Sequence, residues 1–178
     1  MTQARPFIKW VGGKTQLLDE VRKSLPRDFA SRRHVTYVEP FVGGGAVMFW
    51  ILQAYPNIER AVINDINPEL ICTYRVIKEK VEELIVELAH IHDEYISLGA
   101  EDRKAYFLER RALFNTKRID WVETAALFIF LNRTCFNGLY RVNSKGEFNV
   151  PHGKYANPRI CDADNLRACS KVLQKVEI

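Results

Sequence analysis

The chain has 178 residues, 47% of them apolar, enough for one domain with its own core or for one domain carrying an insertion. No apolar run approaches the ~20 residues that cross a bilayer, and residues 1–9 lack the apolar stretch of a secretory signal, so no membrane anchor is expected. The net charge of +4 is unevenly placed: residues 132–178 hold 8 Lys and Arg against 4 Asp and Glu, whereas residues 1–131 balance at 18 against 18.

The basic last quarter suits a solvated face or a nucleic-acid partner, and charge alone does not choose between them. Cys72, Cys135, Cys161 and Cys169 are scattered with no C-x-x-C pair, which reads as reduced thiols in a cytoplasmic protein. His90 and His92 sit two apart on a predicted helix and so diverge, and no metal site is expected.

In chain order, residues 7–14 (Phe-Ile-Lys-Trp-Val-Gly-Gly-Lys) set a Trp and two lysines around a glycine pair, and Leu17, Leu18, Val21 and Leu25 then recur at helical spacing up to Pro26. Trp10 is either a plain anchor or a platform for a ligand, with Lys14 as a charged partner beside it. Residues 37–47 follow: a short apolar run ends in Glu39, then come Pro40, Phe41 and the glycines Gly43, Gly44 and Gly45, then a segment of helical composition. Strand, tight turn, helix is the expectation. Glycines there permit positive φ and close approach of a ligand, and the free N–H groups of the next helix face the same place, so a nucleoside-bearing cofactor fits; a ligand-free turn is the alternative.

Two nucleotide motifs fail at this turn. The dinucleotide fingerprint would need glycine where Met48 stands, and the P-loop ending at Gly13-Lys14-Thr15 would need glycine at Ile8. What remains, an acid, Pro-Phe and Gly-x-Gly after a strand, resembles motif I of S-adenosylmethionine-dependent methyltransferases.

A helix from Ala46 to Tyr55 is predicted to stop at Pro56, and residues 60–67 read as a second short strand ending in an acid, Asp65, 26 residues beyond Glu39. That spacing is a βαβ unit, in which such a carboxylate accepts hydrogen bonds from ribose hydroxyls; helix capping is the other reading, but Asn67 with Pro68 already supplies a cap. Leu70, Tyr74, Ile77, Val81, Leu84, Leu88 and Ile91 predict one long amphipathic helix, a second helix covers residues 102–114, and a third starts at the capping box Asp120 to Glu123 and runs to Leu131, apolar all round and therefore buried. From residue 131 the character changes to Arg, Asn and aromatic residues around glycine turns. Two short strands flanking Asn143-Ser144-Lys145-Gly146 predict a β-hairpin, with side chains suited to bases and phosphates or, equally, to a cover over an active site.

Residues 7–14, 39–45 and 63–67, then Leu131-Asn132-Arg133, Asn137-Gly138-Leu139, Arg141, residues 146–151, Gly153 and Tyr155, resemble in the same order the Dam-type (D12 class) DNA adenine-N6 methyltransferases. The resemblance covers nearly the whole chain. It implies a Rossmann-like α/β methyltransferase fold with a cofactor-binding portion at 1–67 and 171–178, and an inserted helical and hairpin DNA-recognition segment at 68–170, the hairpin lying at 137–151. It further implies that Trp10, Lys14 and Asp65 contact S-adenosylmethionine, with Glu39, Phe41, Gly43 and Gly45 shaping the pocket. Duplex DNA would meet Lys9, Arg133, Phe136, Asn137, Leu139, Arg141, Asn149, Pro151, Lys154 and Tyr155, with Arg141 at a base edge, Leu139 beside it and Phe136 as an inserted wedge.

One departure matters for chemistry. The family's Asp-Pro-Pro-Tyr motif, which accepts hydrogen bonds from the adenine amine and stacks on the flipped base, has no counterpart, since the chain contains no adjacent prolines. The fold is therefore expected to be truncated and the chain alone inactive, with no catalytic residue assigned, and an open sheet edge would favour self-association or a complementing polypeptide. GATC is the first recognition site to test. The rival readings are a methyltransferase acting on RNA or protein amides, and a non-catalytic DNA-binding subunit.

Overall fold

The structure, a computed structural model, describes residues 2–178. Strands β1 (Val35–Glu39) and β2 (Ile58–Ile63) pair in parallel, from Thr36 opposite Arg60 to Glu39 opposite Ile63, and β3 (Val176–Glu177) pairs in parallel with β2 to give the order β1-β2-β3. Ile58, Ala61 and Ile63 of the central strand are buried, as expected of a strand covered by helices. The crossover from β1 to β2 is α2 (Ala46–Ala54), which completes the βαβ unit. This is a mixed α/β fold built on a small parallel sheet. β2 starts and ends earlier than residues 60–67 suggest, so Asp65 lies in the turn after the strand.

α1 (Leu18–Ser24) precedes the sheet; α3 (Pro68–Glu79), α4 (Val81–Ser97), α5 (Ala100–Asn115) and α6 (Trp121–Thr134) follow it, and α7 (Ala163–Leu173) leads into β3. Both predicted caps are present: Asn67 Oδ1 accepts from the Leu70 N–H at 2.8 Å, and Asp120 Oδ1 accepts from Val122 and Glu123 at 2.8 and 2.9 Å. α6 is buried on every side from Ala125 to Asn132, packed among α3, α4 and α5. One continuous apolar cluster joins Phe7, Met48 and Ile63 to Leu88, Phe130 and Leu173, so the sheet and the helices that follow it share a core.

Two predicted elements differ. The long helix is two helices, broken at Lys80 (φ −138°, ψ 40°), where the amide still bonds the Val76 carbonyl at 2.7 Å. The Lys80 ammonium pairs with Glu83 at 2.9 Å and lies 5.5 Å from the Trp121 ring, which holds the bend. The hairpin is a looser loop: Val142 and Phe148 form an isolated antiparallel bridge, with Asn149 N–H to Arg141 O at 3.1 Å and Asn143 N–H to Glu147 O at 2.9 Å, but its arms are not regular strands. Asn143 takes the ladder's place by accepting with Oδ1 from the amides of Lys145 and Glu147 at 2.9 and 3.0 Å.

Candidate functional site

The ends of β1 and β2 are tied by Asn64, whose N–H donates to Glu39 O and whose carbonyl accepts from Val42 N–H, both at 3.0 Å. Asp65 braces the turn above them: Oδ2 accepts from Gly43 N–H and Oδ1 from Asn67 N–H, each at 3.0 Å. The space beyond is the carboxyl end of a parallel sheet, where open α/β folds bind ligands. α2 begins there after Gly45, which has no side chain to cap it, and the Glu39 carboxylate is the acceptor beside the Met48 N–H of its first turn.

Gly43 and Gly45 have φ of +50° and +74°, as the turn chemistry requires. The room their missing Cβ atoms leave, however, belongs to the protein itself. A Cβ on Gly43 would lie 2.8 Å from Trp10 Cδ1, and one on Gly45 would lie 2.5 Å from Tyr74 Oη. The glycines thus seat Trp10 against the turn and admit the buried Tyr74, whose hydroxyl donates to Gly43 O at 2.9 Å.

A cleft of about 470 Å³ opens over this turn, within the range of cofactor sites. Its lining includes all seven residues singled out from the sequence: Trp10, Lys14, Glu39, Phe41, Gly43, Gly45 and Asp65. Lys14 Nζ lies 3.7 Å from Glu39 Oε1, and the Tyr37 hydroxyl donates to Glu39 Oε2 at 2.6 Å. Burial pushes the Glu39 carboxyl above the ordinary range, and Tyr37, Lys14 and the Met48 backbone N–H pull it part of the way back. Phe41 is 74% exposed, an aromatic surface on the cleft wall.

The residues expected to meet DNA gather on the loop after α6 and beside it. Asn132 clamps the Lys9 backbone in both directions at 2.8 Å and also donates to Gly138 O at 3.0 Å. Lys9 itself is exposed, its ammonium 5.2 Å from the centre of the Tyr155 ring. Phe136 is 52% exposed on a short 3-10 turn, Asn137 donates its N–H to Tyr155 Oη at 3.1 Å, and the Phe136 N–H donates to Pro151 O at 2.8 Å. Arg141 is exposed, with Nε donating to Asn149 Oδ1 at 2.7 Å, while Leu139 is half-buried and Lys154 exposed. Arg133 lies in the last turn of α6, half-buried, with Nη2 donating to Phe7 O at 2.7 Å, so it ties the opening segment to the helix.

Sequence reasoning missed Tyr74, Asn132 and Tyr140. Tyr74 counted only as an apolar step on a helix, and its hydroxyl partner lies 31 residues away. Tyr140 stacks on Trp10, with ring centres 5.6 Å apart and planes at 25°, and joins the loop to the cleft.

Residues 10–178 match the family model for the D12 class N6 adenine-specific DNA methyltransferases. The chain is 48% identical over 178 residues to a Type II methyltransferase of Methanocaldococcus jannaschii, covering 99% of this chain and 61% of that one. It is 42% identical over 177 residues to a Type II methyltransferase of Lactococcus lactis subsp. cremoris (98% and 56%) and 40% identical over 151 residues to a DNA adenine methylase of Haemophilus influenzae (85% and 48%). The chain therefore spans about half to three-fifths of the length of these relatives. On the family match, which spans both the glycine turn and the loop after α6, the chain belongs to the D12 class N6 adenine-specific DNA methyltransferase family.

Proposed function

We propose that the chain is the cofactor-binding and DNA-reading portion of a cytoplasmic S-adenosylmethionine-dependent methyltransferase that modifies adenine N6 in duplex DNA. The observation that carries this reading is the convergence of Trp10, Lys14, Glu39, Phe41, Gly43, Gly45 and Asp65 on one cleft. The cofactor, when bound, supplies an electrophilic methyl on a sulfonium. Toward it, Asp65 has carboxylate lone pairs beyond those the two backbone N–H groups use, Lys14 offers an ammonium to a carboxylate, and Trp10 and Phe41 offer aromatic faces to a purine. The division of labour runs along the chain, with residues 1–67 and 171–178 serving the cofactor and 68–170 carrying the DNA reader.

On the DNA side, Arg141 reads a base edge beside Leu139, Phe136 acts as the wedge, and Lys9, Asn137, Asn149, Pro151, Lys154 and Tyr155 frame the duplex. Asn149 already orients the Arg141 guanidinium before any base is met. No residue of the chain is assigned to the adenine amine, so the chain alone transfers no methyl groups. The one-sided pairing of β1 favours a second form of the same reading, in which another polypeptide adds strands to that edge and completes the site. The description of the matched family, which specifies adenine in DNA, weighs against RNA or protein amides.

Fluorescence anisotropy with duplexes that contain or lack GATC tests the DNA half. The expected outcome is a preference for GATC that Arg141→Ala reduces by ~1–3 kcal/mol, while Lys154→Ala weakens both duplexes alike. Equal, uniform losses in both variants would demote Arg141 to a phosphate contact, and no binding to either duplex at low salt would remove DNA from the reading.

A further inference from the structure

We infer that Tyr140 is a positioning residue that couples the cofactor cleft to the DNA-reading loop, so that each ligand tightens the other; this rests on the reading of cleft and loop proposed above. Tyr140 stands between Leu139 and Arg141, the two residues placed nearest the bases, yet its ring is turned toward the cleft. It stacks on Trp10 and is backed by Phe128 at 5.4 Å and Phe148 at 5.7 Å between ring centres. Phe148 is the bridge partner of Val142, so Tyr140 touches both arms of the loop.

The other contact of Tyr140 leads back to the cleft by a second route. Its hydroxyl donates to Glu69 Oε2 at 3.3 Å, and Glu69 is held by an ion pair with Lys117. Glu69 lies in the first turn of α3, directly after the Asp65 turn and its Asn67 cap. Tyr140 is thereby connected to both walls of the cleft, the Trp10 segment and the segment after β2.

Trp10 has little room in which to absorb a ligand without passing the change on. One edge rests on Gly43, where even a Cβ would collide with it, and one face rests on Tyr140. A ligand that fixes the indole also fixes Tyr140, and with it the backbone that carries Leu139 and Arg141. Linkage makes the effect reciprocal: DNA that orders the loop must favour the cofactor by the same factor.

The test is a set of titrations of the chain with S-adenosylhomocysteine in the absence and presence of a saturating GATC duplex, and of the duplex in the absence and presence of saturating S-adenosylhomocysteine. For the wild type, each probe should tighten the other by one shared factor of about 5 or more. Tyr140→Phe, which keeps the ring contact with Trp10 but loses the hydroxyl bond to Glu69, should retain part of that factor, between wild type and the leucine variant. Tyr140→Leu, which keeps apolar bulk against Phe128 and Phe148, should bring it below about 2 while either probe alone binds within about threefold of wild type. A second readout does not depend on affinity: in a Trp50→Phe, Trp121→Phe background, DNA should change Trp10 emission with Tyr or Phe at position 140 and not with Leu. Wild-type coupling in Tyr140→Leu, or independent binding of the two probes by the wild type, would overturn the inference. A wild-type chain that binds neither probe would instead show that the underlying functional reading has failed, and the inference with it.

Discussion

At Gly45 one hydrogen atom decides whether the turn and α3 can coexist. Alanine there would have to hold φ near +74°, costing about 1–2 kcal/mol, and its Cβ would sit 2.5 Å from Tyr74 Oη. Gly45→Ala should therefore lower stability in urea by ~2 kcal/mol or more, and Tyr74→Phe alone by about 1 kcal/mol, because Gly43 O loses its donor. The two should not add, since the phenylalanine removes the atom that the new methyl strikes; strict additivity in the double variant would contradict the packing described. His152 gives a pH-dependent counterpart. Its imidazole lies 2.7 Å from Tyr95 Oη, and burial, then the charges of Lys154, Arg103 and Lys104, hold its pKa below the usual 6.5. The folded chain then binds fewer protons than the unfolded one in that interval, so this contribution is complete above about pH 6.5 and is lost as pH falls through the lower, folded value. Thermal midpoints measured from pH 5 to 8 should rise more steeply with pH for wild type than for His152→Gln; parallel curves would contradict the assignment.

At the scale of elements, β1 carries the most testable consequence. Among the described residues it pairs only with β2, its outer edge leaves backbone groups unpaired, and Val38 on it is 60% exposed. Such an edge templates association, so light scattering should show size rising with protein concentration, and Val38→Lys should suppress that rise. A monodisperse wild-type monomer across the same range would contradict it. The elements also show what local rules can and cannot reveal. The Asn67-Pro68 and Asp120 caps were legible because each cap is satisfied within a few residues, and the glycine turn was legible because positive φ leaves so few choices. The break at Lys80 was not, because Ile77, Val81 and Leu84 keep helical phase across it and face one core from both halves. The loop after α6 was legible by composition, while the bond from Arg133 to Phe7 O was not, because its partner lies 126 residues away and α6 continues to Thr134, beyond where its apolar run stops. Tyr140 was illegible for a similar reason: its role is set by Trp10, 130 positions earlier in the chain.

Taken whole, the molecule places a cleft at the carboxyl ends of a parallel sheet and an exposed Arg, Asn and aromatic loop on one shared core, bridged by Trp10 and Tyr140. With no Asp-Pro-Pro-Tyr among its 178 residues, it should bind both ligands and transfer no labelled methyl to a GATC duplex. Binding in the cleft is the claim on which the rest depends, and titration calorimetry of the chain with S-adenosylmethionine measures it directly. The expected result is saturable binding at one site that Asp65→Ala weakens by roughly 1.5–3 kcal/mol, with Asp65→Asn in between because its amide oxygen still accepts one of the two backbone N–H groups. Absence of saturable binding, or wild-type affinity in Asp65→Ala, would contradict it.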